Sequence, residues 1–117
     1  MTKKALVIDD QRVTVIVIEE LLKNNGYEVI TTTDSSLALQ LIEIKSPDIV
    51  ILDILMPDID GIELLKIIRE SHSELPIITI SSDKLYLRIS EKLGATASFS
   101  KPIFHDDFTA MVNKLSG

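Results

Sequence analysis

Two rhythms alternate along the chain. Compact, β-branched apolar runs recur at Ala5 to Ile8, Tyr27 to Ile30, Ile49 to Leu52 and Ile77 to Ile80, with a weaker one at Thr96 to Phe99. Between them the apolar residues fall three and four apart, the spacing of a helix with one buried face. The middle runs show little polar alternation, as parallel strands covered on both faces should. Strand and helix in strict succession predict an open α/β domain with a parallel sheet and right-handed crossovers.

Turn and cap residues divide the chain at the same places. Gly26 stops a helix that ends near Leu22-Lys23, Ser35-Ser36 precedes a helical stretch from Leu37 to Ile44, and Pro47 closes it. Asp60 can cap Ile62 to Ile68, and Gly94 ends the helix before the last strand. The run Val13-Thr14-Val15-Ile16-Val17-Ile18 has strong β propensity but no strand alternation. It is read as a helix whose inward face is Thr14, Val17, Ile18 and Leu21, which leaves Val15 on the flank and Ile16 in water.

Composition narrows the classes. The 117 residues suit one domain, taken as 1–117. At 45% hydrophobic and 26% charged, the chain can bury a core. It has no cysteine, which removes disulfides, thiolate zinc sites and thiol nucleophiles and suits a cytoplasmic location. The longest apolar runs are far too short for a membrane span, so no membrane contact is expected. A net charge of −6 argues against direct nucleic-acid binding, which calls for a basic face.

In an open parallel sheet, ligands collect beyond the carboxyl ends of the strands. Here those ends carry Asp9-Asp10, Asp53, Ser81-Ser82 and Lys101-Pro102. Taken singly each has an ordinary reading: an Asp pair as a solvated turn, a serine satisfying a loop, a lysine before a proline kink. Jointly they bring carboxylates, a hydroxyl and an ammonium to one edge. Crowded carboxylates repel one another, and a hard divalent cation with oxygen ligands relieves that cost. A carboxylate nucleophile, such a cation and one ammonium suffice for phosphoryl transfer, which asks mainly for positioning and charge stabilisation.

These residues, in this order, resemble the response-regulator receiver domains of two-component signalling. The carriers are Val7-Ile8-Asp9-Asp10, the stretch from Pro47 through Asp53 and Met56-Pro57-Asp58-Ile59-Asp60-Gly61, Pro76 to Ser82, Gly94-Ala95 and Lys101-Pro102. The resemblance spans nearly the whole chain. It implies a flavodoxin-like sheet in the order 2-1-3-4-5 with five helices, and Asp53 as phosphoacceptor. By the same matching Asp9, Asp10, Asp53 and the Leu55 backbone carbonyl hold Mg²⁺. Lys101 meets the phosphoryl group, Ser81 is the hydroxyl that moves to it, and Lys101-Pro102 is a cis peptide. The implied donor is a histidine kinase or histidine phosphotransfer protein, and the implied recipient a downstream output domain or protein. The chain is then a signalling switch that catalyses only its own phosphorylation and dephosphorylation. Val13, Val15 and Ile16, just after Asp10, are expected to anchor the donor.

Four positions depart from the family pattern. Gln11 stands where many members have a third acid, and Ser82 replaces a small residue beside the switch hydroxyl. The segment from Ser81 to Gly94 is short, leaving the start of its helix open. Ser98 occupies the place of an aromatic switch residue, so the face of the last strand and Asp106 to Leu115 is expected to respond weakly. Other readings fare less well. A dehalogenase-type phosphatase needs a second Asp where Leu55 stands, and a flavin phosphate would be repelled by Asp9-Asp10-Gln11-Arg12. His72 and His105 lie outside any helical hairpin suited to carry a phosphohistidine. The standing alternative is a receiver-like interaction module that works without phosphorylation.

Overall fold

Each apolar run becomes a strand and each helical stretch a helix. In a computed structural model, which describes residues 2–56, 60–103 and 105–116, β1 (Lys4–Ile8), β2 (Glu28–Thr32), β3 (Ile49–Asp53), β4 (Ile77–Ser81) and β5 (Ala97–Ser100) alternate with α1 (Arg12–Asn24), α2 (Ala38–Lys45), α3 (Gly61–Ser71), α4 (Lys84–Lys92) and α5 (His105–Leu115). All strand pairs are parallel and the sheet order is β2-β1-β3-β4-β5. Pro57, Asp58 and Ile59, part of the motif around Asp53, lie outside the described residues, as does the side chain of His105.

Alternation along the buried strands sorts their side chains into two cores. Ala5 and Val7 of β1 join Ile49, Ile51, Ile78 and Ile80 against α1 and α5, while Leu6 and Ile8 join Val50, Leu52 and Ile77 against α2, α3 and α4. With both faces covered, β3 and β4 are buried at every position, which is why their sequences read as unbroken apolar runs. Phe108 of α5 is fully buried and meets Phe99 of β5 edge to face at 5.6 Å. Tyr27 precedes β2 and is buried, its hydroxyl bonded to Asn113 at 3.2 Å and to Ser116.

Local chemistry sets the helix ends. Asp34 caps a 3₁₀ turn at Ser35–Leu37, so α2 starts at Ala38, one residue later than the sequence suggests. Asp60 and Asp83 cap α3 and α4 through hydrogen bonds to the Ile62 and Leu85 amides at 3.0 and 2.9 Å. Gly61 is required by closeness: a Cβ there would lie 2.4 Å from Ile54 Cα and 2.8 Å from the Asp53 carbonyl oxygen. The short segment after Ser81 thus leads directly into α4 at Lys84.

The phase of α1 differs from expectation. Val15, Ile18, Leu21 and Leu22 are buried, whereas Val17 is 44% exposed and Thr14 half-buried. The inward face is rotated by about 60° from the predicted one, at about 100° per residue. Leu22 explains the rotation: Val15, Ile18 and Leu22 form an i, i+3, i+7 stripe that packs on β1, while the Thr14 hydroxyl turns towards Gln11 at 3.4 Å. Val15 is therefore a core residue and is removed from the exposed anchor set; Val13 and Ile16, 75% and 53% exposed, remain in it.

Candidate phosphoacceptor site

Because β1 pairs with both β2 and β3, the chain changes winding direction there, and the crevice opens beyond the carboxyl ends of β1 and β3. Asp9 follows β1 and Asp53 ends β3, both essentially inaccessible to solvent. Each carboxylate is held by a backbone amide two residues on. Gln11 N–H donates to Asp9 Oδ1 at 2.8 Å, and Leu55 N–H donates to Asp53 Oδ1 at 3.1 Å. That leaves the second oxygen of each directed at the crevice chemistry.

Lys101 enters from the end of β5. Its ammonium lies 3.0 Å from Asp9 Oδ2 and 3.5 Å from Asp53 Oδ2, and donates to Gln11 Oε1 at 2.9 Å. Asp9 Oδ2 is buried without an aligned hydrogen bond, so the ammonium compensates its charge but does not satisfy its lone pairs. Burial first, then the neighbouring Asp9 carboxylate, pushes the Asp53 carboxyl up to about 7, against the pull of the Leu55 amide and Lys101. Two buried acids sharing one lysine are under-neutralised.

Asp10, exposed, completes the cluster. Asp9, Asp10 and Asp53 each offer an oxygen, all within 4.8 Å of one another. Three carboxylates at this spacing, with Asp9 carrying a buried oxygen that lacks a directed donor, fit a hard divalent cation that retains several waters. Leu55 is 39% exposed beside Asp53 and forms an antiparallel bridge with Asp60, which fixes its backbone.

Ser81 ends β4, next along the strand from Ile80, the residue paired with Asp53. It is fully buried, and its hydroxyl accepts a hydrogen bond from the Asp83 amide at 3.0 Å. The Lys101-Pro102 peptide is cis, as the resemblance implies. Ser98 is not idle: its hydroxyl donates to Glu91 of α4 at 2.5 Å. His72 ends α3 and binds Glu43 at 2.9 Å, away from the acidic crevice. The residue that sequence reasoning did not assign is Gln11. Its position after the Asp pair was the available signal, but only the fold brings it to Lys101.

A doubly wound parallel sheet with acids, a hydroxyl and a lysine gathered at its switch point defines the class: an α/β domain equipped for chemistry at a carboxylate. Comparison with known proteins makes this specific. The model of the response regulator receiver domain matches residues 5–113, and the chain belongs to that family. It is 33% identical over 117 residues to the alkaline phosphatase synthesis transcriptional regulatory protein PhoP of Bacillus subtilis, covering 98% of this chain and 49% of PhoP. It is 31% identical to sporulation initiation phosphotransferase F of the same organism, covering 97% of this chain and 94% of that protein. The chain thus spans about half of PhoP and nearly all of the phosphotransferase. The receiver domain of Francisella response regulator 1452 superposes with a TM-score of 0.89 at 31% identity, covering 98% and 97% of the two chains. The receiver domain of NtrX from Brucella abortus does so with 0.89 at 28% identity, covering 96% and 97%. The protein is a receiver domain of two-component signalling, a family whose members accept a phosphoryl group.

Proposed function

We propose that Asp53 is the phosphoacceptor of this domain and that a histidine kinase or histidine phosphotransfer protein is its donor. The observation that carries the reading is the placement of Lys101 between Asp9 and Asp53, above carboxylates spaced for a divalent cation. An Asp53 oxygen attacks phosphorus in line, the phosphorus–nitrogen bond to the donor imidazole breaks, and that nitrogen regains a proton from solvent. The Lys101 ammonium neutralises an equatorial phosphoryl oxygen as it arrives, and the Leu55 amide keeps the attacking carboxylate oriented. Mg²⁺, held by Asp9, Asp10, Asp53 and the Leu55 carbonyl, would supply the main charge compensation. Water attack on the acyl phosphate returns the carboxylate, so the domain promotes only its own labelling and slow hydrolysis.

The donor would approach over α1. Val13 and Ile16, joined by Val17 in place of Val15, are exposed, and Val13, Thr14 and Val17 line a groove of about 290 Å³ with Lys101, Pro102 and Ile103. An apolar groove edged by the phosphate-contacting lysine suits the helix of a phosphohistidine carrier. The labelled state would then alter contacts with an output domain or protein, in the cytoplasm where such donors act; no described helix is long and apolar enough to cross a membrane.

The test is labelling by a small phosphodonor with and without Mg²⁺. Wild type should label only with the cation, and Asp10→Asn should label much more slowly. Equal rates in all three cases would remove the metal from the account.

A further inference from the structure

Helix α1 starts differently from its neighbours. Asp34, Asp60 and Asp83 each turn a carboxylate back onto an amide of the turn they precede. The corresponding place before α1 is held by Gln11, outside the usual capping set, and no side chain caps that helix. The Gln11 backbone carbonyl accepts from the Val15 amide at 3.1 Å, so the helix begins in the ordinary way. Its side chain points elsewhere. Gln11 Oε1 accepts from the Lys101 ammonium at 2.9 Å and from the Thr14 hydroxyl at 3.4 Å. A carboxamide oxygen has two lone pairs, so it accommodates both donors together. Thr14 is half-buried in the first turn of α1 and lines the same groove as Lys101.

Two uses compete for the Gln11 side chain. It can swing back onto the free amides of the first turn, or reach out to Lys101. We propose that Thr14 is a positioning residue for phosphoryl transfer: its hydroxyl, bonded to Gln11 Oε1, holds that side chain off the start of α1 and against the Lys101 ammonium that faces Asp9 and Asp53. This rests on Asp53 being the acceptor. A β-branched side chain on a helix has few rotamers, so Thr14 presents its hydroxyl in a restricted set of directions. Glutamine turns about several bonds and gains most from such a hold. Thr14 thus acts on the lysine at one remove, and the start of α1 stays uncapped as a consequence.

The experiment is a double-mutant cycle on the full chain, read as the rate of labelling by a small phosphodonor at saturating Mg²⁺ and as the melting temperature. Thr14→Val, which keeps the shape and removes the hydroxyl, should label about threefold more slowly, the loss of one weak hydrogen bond. Thr14→Ser should restore the rate. Because Thr14 acts through Gln11, adding Thr14→Val to Gln11→Ala should slow labelling no further than Gln11→Ala alone. Gln11→Ser is the discriminating variant, a neutral capping residue too short to reach Lys101. It should label about fivefold more slowly and yet melt about 2–4 °C higher, a pair of opposite changes that a purely structural role does not produce. Wild-type and Thr14→Val proteins labelling at equal rates would overturn the proposal. So would a Thr14→Val effect undiminished in the Gln11→Ala background, or a Gln11→Ser variant that labels as fast as the wild type or melts lower. A wild type that takes no label at Asp53 overturns the acceptor reading and this one together, whereas the other outcomes leave the acceptor in place.

Discussion

The Gln11 side-chain oxygen and the Lys101 ammonium meet at 2.9 Å across 90 residues of sequence. The bond parks a mobile four-carbon chain over Asp9 and Asp53 without adding a third negative charge. Lysine otherwise retains much rotamer freedom, and a neutral tether removes some of it before the phosphoryl group arrives. Gln11→Ala should therefore slow labelling by a small phosphodonor about fivefold, the worth of one hydrogen bond near 1 kcal/mol. Its unfolding midpoint should stay close to that of the wild type, since Gln11 is exposed. Labelling kinetics of the two proteins at saturating Mg²⁺ check this, and equal rates would remove Gln11 from the site.

The raised Asp53 carboxyl makes a prediction about pH. A group near 7 when folded and near 4 when unfolded holds its proton more tightly in the folded protein. Its contribution to stability is fully present below about pH 4 and is lost as pH rises towards and through 7. Asp53→Asn abolishes that loss. In metal-free buffer the variant should match the wild type near pH 4 and exceed it by roughly 2–4 kcal/mol above pH 7, each pH unit of displacement being worth about 1.4 kcal/mol. Denaturant unfolding across this range measures it. A constant difference would mean that Asp53 ionises freely in the folded state.

Much of the fold was legible in the residues because local and long-range demands agree. Ile49 to Leu52 has no polar alternation and becomes a central strand buried on both sides; Asp60-Gly61 supplies both a cap and the only side chain that fits against Ile54. The site was legible for a related reason: Asp9, Asp53, Ser81 and Lys101 all fall at strand ends, and a parallel sheet brings such ends together. What sequence left unsettled lies where tertiary packing chooses among near-equal options. Six apolar or β-branched residues from Val13 to Ile18 offer several inward faces, and only contact with β1 selected Val15 over Val17. Likewise nothing local shows that Ser98 meets Glu91 or that Gln11 meets Lys101.

The corrected phase of α1 separates two neighbours. Val15→Ala should destabilise the domain by about 1–2.5 kcal/mol, as expected for truncating a buried valine. Ile16→Ser should change stability by no more than about 0.5 kcal/mol yet slow transfer from a protein phosphodonor, since truncating a desolvated anchor costs about 1–3 kcal/mol of binding. Labelling by a small phosphodonor should be unaffected. Unfolding by Ile16→Ser would show that the helix faces the core otherwise, and unchanged protein-to-protein transfer would move the docking site elsewhere.

Arg69 fastens three segments at the opposite end of the sheet from the acids. Its guanidinium donates to the carbonyls of Gly94, His72 and Leu75 at 2.7, 2.8 and 2.6 Å, and to Thr96 Oγ1 at 3.2 Å. Burial holds its pKa below the usual arginine range, and Gly94, at φ +119°, leaves room for a side chain that a Cβ would meet at 2.9 Å. Arg69→Met keeps much of the stem but strands these acceptors, so stability should fall by about 1–3 kcal/mol. Small-phosphodonor labelling of the folded variant should remain. A stability change below about 0.5 kcal/mol would show that water replaces the guanidinium at no cost.

The central claim is chemical, and reductive trapping addresses it most directly. After labelling with a small phosphodonor and Mg²⁺, borohydride reduces an aspartyl phosphate to homoserine, which peptide mass analysis locates by residue. The account predicts homoserine at position 53 in the wild type and at no position in Asp53→Asn. Homoserine at position 9 or 10, or equal trapping in the variant, would contradict it.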